Sequence, residues 1–256
     1  MPFILAPLFL SRIYRLHGGG LSSALGQMEE NCRHGLLRRM LASPMLVRVL
    51  PFAVFAAATL VQNQFGEIPQ FWIYALKTVA GACLLWLFRS HIKEMRLNIS
   101  WEAIAVGVAV FGLWVGLDGH YPPIPLFQKS ESFNPVKTFG QGSILSLFFI
   151  GVRIAGSSLV VPFLEEVFYR SFLYRFIIRS KFLKLPLSQF NLRSFIVTGV
   201  VFGSDHYEWL PGILCAFAYQ GLVCRKNRLG DAICAHAITN LLLGIWVVSR
   251  GTYHFW

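Results

Sequence analysis

An all-α, polytopic transmembrane helix bundle is the fold this sequence predicts, on three observations. Hydrophobic residues fill 55% of the 256 positions and charged residues only 14%, a balance too apolar for an ordinary soluble domain. The mean hydropathy is +0.56. The apolar residues collect into seven stretches, roughly 47–65, 71–88, 101–117, 143–164, 194–206, 210–224 and 231–249, with the charges in short clusters between them. A full crossing needs about 20 residues. The fifth and sixth stretches are therefore short, and about seven to eight membrane helices are expected, some of them short, tilted or re-entrant and sheltered by protein.

The connections follow an alternating charge pattern. Arg33, Arg38 and Arg39 precede the first stretch, and Arg89, Lys93 and Arg96 follow the second. Arg175, Arg179, Lys181, Lys184 and Arg193 separate the fourth and fifth, and Arg225, Lys226 and Arg228 separate the sixth and seventh. The intervening connections are poor in cations, so the positive-inside rule puts the amino terminus in the cytoplasm and the carboxyl terminus outside. The net charge of +11 is thus explained by topology. It does not form the soluble basic face with stacking aromatics that nucleic acid requires, and no nucleic-acid partner is expected.

By composition the chain divides into a basic cytoplasmic extension at 1–45, transmembrane helices at 46–117, a proline-rich outer loop at 118–142, a transmembrane core at 143–249 and a short tail at 250–256. MPFILAPLFL is too short to span and lacks the leading positive charges of a signal peptide, and Met40 or Met45 is an alternative start. The cysteines at 32, 83, 215, 224 and 234 are odd in number and show no CxxC spacing. Neither a disulfide framework nor a zinc knuckle is indicated, and they read as small core residues.

Chemistry begins at EEVFYR, Glu165 to Arg170, where two carboxylates and a guanidinium follow an apolar run. On a helix successive residues turn by about 100°, so Glu166 and Arg170, at i and i+4, share a face while Glu165 points away. Arg170 is therefore expected to neutralise Glu166, leaving Glu165 for general-base work. From position alone, a wet helix end with three snorkelling side chains stands beside this reading. Downstream, Phe202 and His206 are four apart, as are His236 and Asn240 within an apolar helix. An amide one turn from a histidine in a span needs a polar partner or a cavity, and with the glutamates these residues suggest one polar cluster inside a bundle.

EExxxR (Glu165, Glu166, Arg170), FxxxH (Phe202, His206) and HxxxN (His236, Asn240), in this order on successive membrane segments, resemble the three motifs of the CPBP or ABI family of CAAX proteases and bacteriocin-processing enzymes. The longer wording HYEWLPG, RLGDAICAHAITNLLLGIWVV and LDGHYPP resembles the bacterial subgroup described as CAAX prenyl protease-related and found alongside exosortase systems. The resemblance covers about 143–249 and implies a glutamate-dependent intramembrane endopeptidase, type II CAAX prenyl protease-like, with no cofactor and no metal. It implies that Glu165 and His206 activate a water, that His236 and Asn240 stabilise the oxyanion, that Glu166 and Arg170 form a structural pair, and that Phe202 packs the wall. The implied partners are a membrane-associated protein or peptide substrate, prenylated CaaX proteins fitting the family name, and the lipid bilayer. At these positions the sequence departs nowhere from the motifs, although Asp205 and Glu208 add acids beside His206.

Other readings remain to be set against it. A zinc-dependent protease would use Glu165, His206 and His236 as ligands with an open fourth position. A non-proteolytic scaffold or bacteriocin-immunity-type protein would keep the bundle without the chemistry, and a proton-coupled transporter would use the buried carboxylates but shows no paired halves with broken helices. HExxH and GxSxG motifs are absent from the sequence. Depth is the remaining difficulty: His236 falls about 8 Å above the basic end of the last stretch, while His206 lies at the far end of the fifth. They meet only if the fifth helix is short or tilted and the fourth runs on past Glu165 toward Arg175. A water-filled cavity opening to the cytoplasm is expected.

Overall fold

Each of the seven apolar stretches is helical in the computed structural model, which describes residues 40–62, 64–122 and 133–256. The expectations for Arg33, Arg38, Arg39, Cys32 and the segments around them, and for 123–132 of the outer loop, lie outside the described residues. The architecture is that of Pro44–Trp256. Its helices are α1 (Leu46–Gln62), α2 (Glu67–Phe88), α3 (Trp101–Gly116), a short α4 (Pro135–Phe139), α5 (Ile144–Ile178), α6 (Leu192–Ser204), α7 (Trp209–Lys226) and α8 (Gly230–Arg250). No strand occurs among the described residues.

The helices start where the sequence supplies side-chain acceptors. Ser100 accepts from the Ala103 N–H, Asn134 from Lys137, Ser143 from Ser146 and Asn191 from Ser194, each filling a free amide of a first turn. Asn227 and Gly251, both left-handed, end α7 and α8. By length and composition Glu67–His91, Ile144–Ile178 and Gly230–Arg250 can cross a membrane, and α1, α3 and α6 are shorter apolar helices. The chain is an integral membrane protein with an all-α bundle.

Two close approaches set the depth of the later helices. At Gly107 of α3 an added Cβ would stand 2.7 Å from the Ala235 carbonyl of α8, and at Gly203 of α6 it would stand 2.4 Å from the Ile213 side chain of α7. The second contact makes α6 and α7 a tight pair joined by a turn at 205–208. With thirteen residues, α6 is about 20 Å long. The fourth stretch does continue past Glu165, to Ile178. At 35 residues α5 is about 52 Å long, and it widens to i→i+5 bonding at Gly156–Val160 and at Val167–Leu173, on either side of the two glutamates. Of the described cysteines, Cys215 and Cys234 are buried as expected, but Cys83 faces outward because it lies on the outer side of α2.

At the end of the bundle that carries the basic connections, one carboxylate gathers three elements. Glu94 Oε1 accepts from Arg48 of α1 at 2.7 Å, from Arg175 of α5 at 3.0 Å and from Ser171 at 2.5 Å. Burial alone would raise the Glu94 pKa, but the Arg48 charge and the hydrogen bonds from Ser171 and Arg48 outweigh it and hold the carboxyl below its ordinary range. Such a group stabilises the fold above the unfolded glutamate pKa, about 4.3, and that stabilisation is lost as pH falls through the folded-state value.

Glu94→Gln is predicted to cost about 3–5 kcal/mol at neutral pH, because two largely buried arginines lose their anion. It should also flatten the acid limb of melting temperature against pH, and an acid limb matching the unaltered chain would contradict this. Gly203→Val, which has no room against α7, is expected to remove the folded, monodisperse fraction on size exclusion in detergent, whereas Gly112→Ala, with open space around it, leaves that fraction intact.

Candidate active site

The two widened turns of α5 place its polar side chains on different sides. Glu166 is fully buried, and its Oε2 lies 3.1 Å from Arg170 Nε. This is a contact of charges more than an aligned hydrogen bond, since none of the three guanidinium nitrogens has a well-directed acceptor. Instead the guanidinium is boxed by rings, its carbon standing 4.4 Å from the centre of Phe202, 5.6 Å from Tyr169 and 5.9 Å from Tyr219. Cation–π contact of this kind supports a desolvated arginine.

Glu166 also holds the first histidine. His236 Nδ1 is 3.0 Å from Glu166 Oε1, and an ionised carboxylate only accepts, so Nδ1 carries the hydrogen and Nε2 is left facing the cavity. Tyr219 stacks on the imidazole with centres 5.2 Å apart, and its hydroxyl donates to Thr239 Oγ1 at 2.7 Å. The Nε2 edge looks toward Glu165 Oε2 at 3.9 Å, too far for a direct hydrogen bond and a distance one water bridges. Glu165 is 15% exposed at its side chain, and its Oε2 is buried without a hydrogen-bond partner.

His206 sits in the turn after α6 and folds back, with Nδ1 donating to the Phe202 carbonyl at 2.8 Å. A carbonyl only accepts, so the neutral ring keeps its lone pair on Nε2. Phe202 stacks on His206 at 4.7 Å and meets His236 edge-on at 6.3 Å, so one ring spaces both histidines. The short α6 and the tight turn thus bring together side chains that the sequence left at different depths.

Asn240 is placed by a defect in α5. The Val161 N–H bonds to the Gly156 carbonyl, and Pro162 has no N–H. The Ser157 carbonyl therefore lacks both its i+4 and its i+5 donor, and Asn240 Nδ2 supplies one at 2.8 Å. One amide hydrogen of Asn240 is committed and the other remains for a ligand.

Glu165, His206, His236 and Asn240 all line one cavity of about 310 Å³. It is also lined by Gln62, Gln70, Glu208 and Phe255, which lie at helix ends opposite the basic connections. The expected opening toward the basic end is therefore corrected. On that side the Glu166–Arg170 pair and the Arg48–Glu94–Arg175 cluster fill the space. Asp205 is absorbed locally, accepting the Tyr169 hydroxyl. Among the described residues no three His, Cys, Asp or Glu side chains converge to hold a metal ion, so the zinc set of Glu165, His206 and His236 does not have the arrangement that reading requires.

Sequence reasoning missed Ser157, Trp114, Tyr219 and Thr239, as well as Lys77 and Arg153 in the same cavity wall. Pro162, five residues after Ser157, was a readable signal for the first. Nothing in the spacing announces Tyr219, because its role depends on how α7 packs against α8.

Searches of curated proteins and of solved structures give no match. The family model described as type II CAAX prenyl endopeptidase Rce1-like matches residues 147–242, from early α5 to just past Asn240, and that segment is similar to this family.

Proposed function

We propose that the chain is an intramembrane endopeptidase that hydrolyses a peptide bond near the carboxyl terminus of a membrane-associated substrate, prenylated CaaX-type proteins among them, using water activated by Glu165 and His206. The observation that carries this reading is the convergence of an unpartnered carboxylate oxygen, two imidazole Nε2 edges and one free amide hydrogen on a single cavity. A scaffold has no use for that set.

Glu165 Oε2 takes one proton from the water while the water's remaining O–H donates a hydrogen bond to His206 Nε2 and stays on the oxygen, which attacks the scissile carbonyl carbon. The oxyanion that forms takes a hydrogen bond from Asn240 and one from His236 Nε2. An Nε2 donor requires the doubly protonated ring, since Nδ1 already serves Glu166. Two carboxylates, one guanidinium and one imidazolium then sum to zero charge, the balance a low-dielectric interior favours. Glu165 returns its proton to the leaving nitrogen, the C–N bond breaks, and an acid and an amine result. The charge of the connections makes the start of α1 cytoplasmic, and the resemblance to a bacterial subgroup places the site in a bacterial inner membrane. The proposed divisions remain 46–117, 118–142, 143–249 and 250–256, with 143–249, which contains the family-matched segment 147–242, carrying the chemistry.

The test is cleavage of a farnesylated CaaX peptide by the purified chain in detergent, read by mass spectrometry. Glu165→Gln should lower the rate by about 10²–10⁴ with the melting temperature retained, and cleavage at an unchanged rate would sink the mechanism. Asn240→Ala should lower kcat by about 10²–10³ with little change in KM, which separates transition-state stabilisation from substrate binding. Activity is expected to survive exhaustive chelation, and loss restored by added zinc would return the metal reading.

A further inference from the structure

The same cavity has a second, cationic pole that the mechanism does not use. Lys77 of α2 is 6% exposed, and its Nζ donates to Thr59 Oγ1 at 2.7 Å. Arg153 of α5 stands on the other helix, with its Nε buried and without a hydrogen-bond partner. Both lie over one ring: Lys77 Nζ is 5.0 Å and the Arg153 guanidinium carbon 4.6 Å from the centre of Tyr74. Among the described residues no carboxylate pairs with either; the acids in the cavity are Glu165, Asp205, which is held by Tyr169, and Glu208. A buried ammonium beside a half-buried guanidinium whose Nε is buried, with no anion between them, is costly inside a membrane protein unless a ligand supplies one.

Spacing relates this pole to the candidate active site. An added Cβ at Gly156 would meet Tyr74 and Thr78, and one at Gly81 would meet Leu164, so α2 and α5 run in the same direction and the Lys77 level corresponds to α5 just past Gly156. Nine residues from Gly156 to Glu165 are about 14 Å of helix axis, which about four residues of extended peptide span.

We propose that Lys77 and Arg153 form a carboxylate subsite that binds the free carboxyl terminus of the peptide substrate, three to four residues beyond the bond presented to Glu165. The guanidinium takes one or both carboxylate oxygens and the ammonium a second contact, both charge-assisted. The nature of the ligand rests on the endopeptidase reading; Lys77 lies outside the family-matched segment and Arg153 within it, so the subsite joins that segment to an amino-terminal helix.

The test measures binding apart from cleavage. A short apolar dansyl peptide, as free acid and as carboxyl-terminal amide, is titrated into the purified full chain in phosphatidylcholine nanodiscs. The acid should bind about tenfold or more tightly than the amide, and that ratio should fall toward one in Lys77→Met and in Arg153→Gln while amide binding stays unchanged. Equal binding of acid and amide, binding of neither, or an undiminished ratio in both variants overturns the subsite. The first comparison uses the unaltered chain, so a variant that fails to fold does not protect the idea. An intact ratio together with no cleavage of any peptide overturns the endopeptidase reading alone.

Discussion

Glu166 is the charge on which the candidate site depends. It has no exposure and two neighbours that need it, Arg170 at 3.1 Å and His236 at 3.0 Å. A carboxylate in that position is tolerated only because both partners are present, and in accepting from Nδ1 it decides which edge of His236 faces the cavity. Glu165, one residue earlier, keeps an oxygen without a partner because Glu166 has taken the available cation. The division of labour between adjacent acids is therefore a matter of which one the arginine can reach.

Backbone irregularity does the rest. A regular α5 would satisfy the Ser157 carbonyl internally, and Asn240 would have no fixed orientation. The widened turn at Gly156–Val160 and the missing amide of Pro162 convert one peptide group into an acceptor on the cavity wall. On the opposite side, α6 and α7 meet at Gly203 so closely that the chain must turn back at once, which draws His206 under Phe202. Neither device needs a loop of any length, and both leave the site supported by helix packing.

Much of this was legible in the sequence. The seven longer helices follow from the apolar stretches, and Ser100, Ser143 and Asn191 cap three of them. Helical spacing alone pairs Glu166 with Arg170, and it aligns Phe202 with His206 and His236 with Asn240. What spacing does not carry is depth and direction. His206 and His236 appeared to lie at different levels because the length of α6 is set by a glycine contact with α7, which is a tertiary fact. The direction of the cavity was misread for a similar reason. Glu165 and His236 do sit toward the basic end in sequence, but the space there is filled by Arg170 and by Arg48, Glu94 and Arg175, whose convergence depends on three separate elements. Lys77 and Arg153 were passed over because each is a single charge in an apolar stretch, and only the fold brings them to one ring.

The length of α5 has a consequence of a mechanical kind. Arg153, Ser157, Glu165, Glu166, Arg170 and Arg175 all ride on one continuous rod, so the intervals between them are graduations fixed by helical rise and insensitive to the motion of any loop. The two places where the rod can flex, Gly156–Val160 and Val167–Leu173, bracket the paired glutamates. A bend at the first changes the interval between Arg153 and the glutamates and leaves Glu165 and Glu166 in register with each other. The helix is in effect a gauge with two joints, and the short span between the joints is where its calibration is kept.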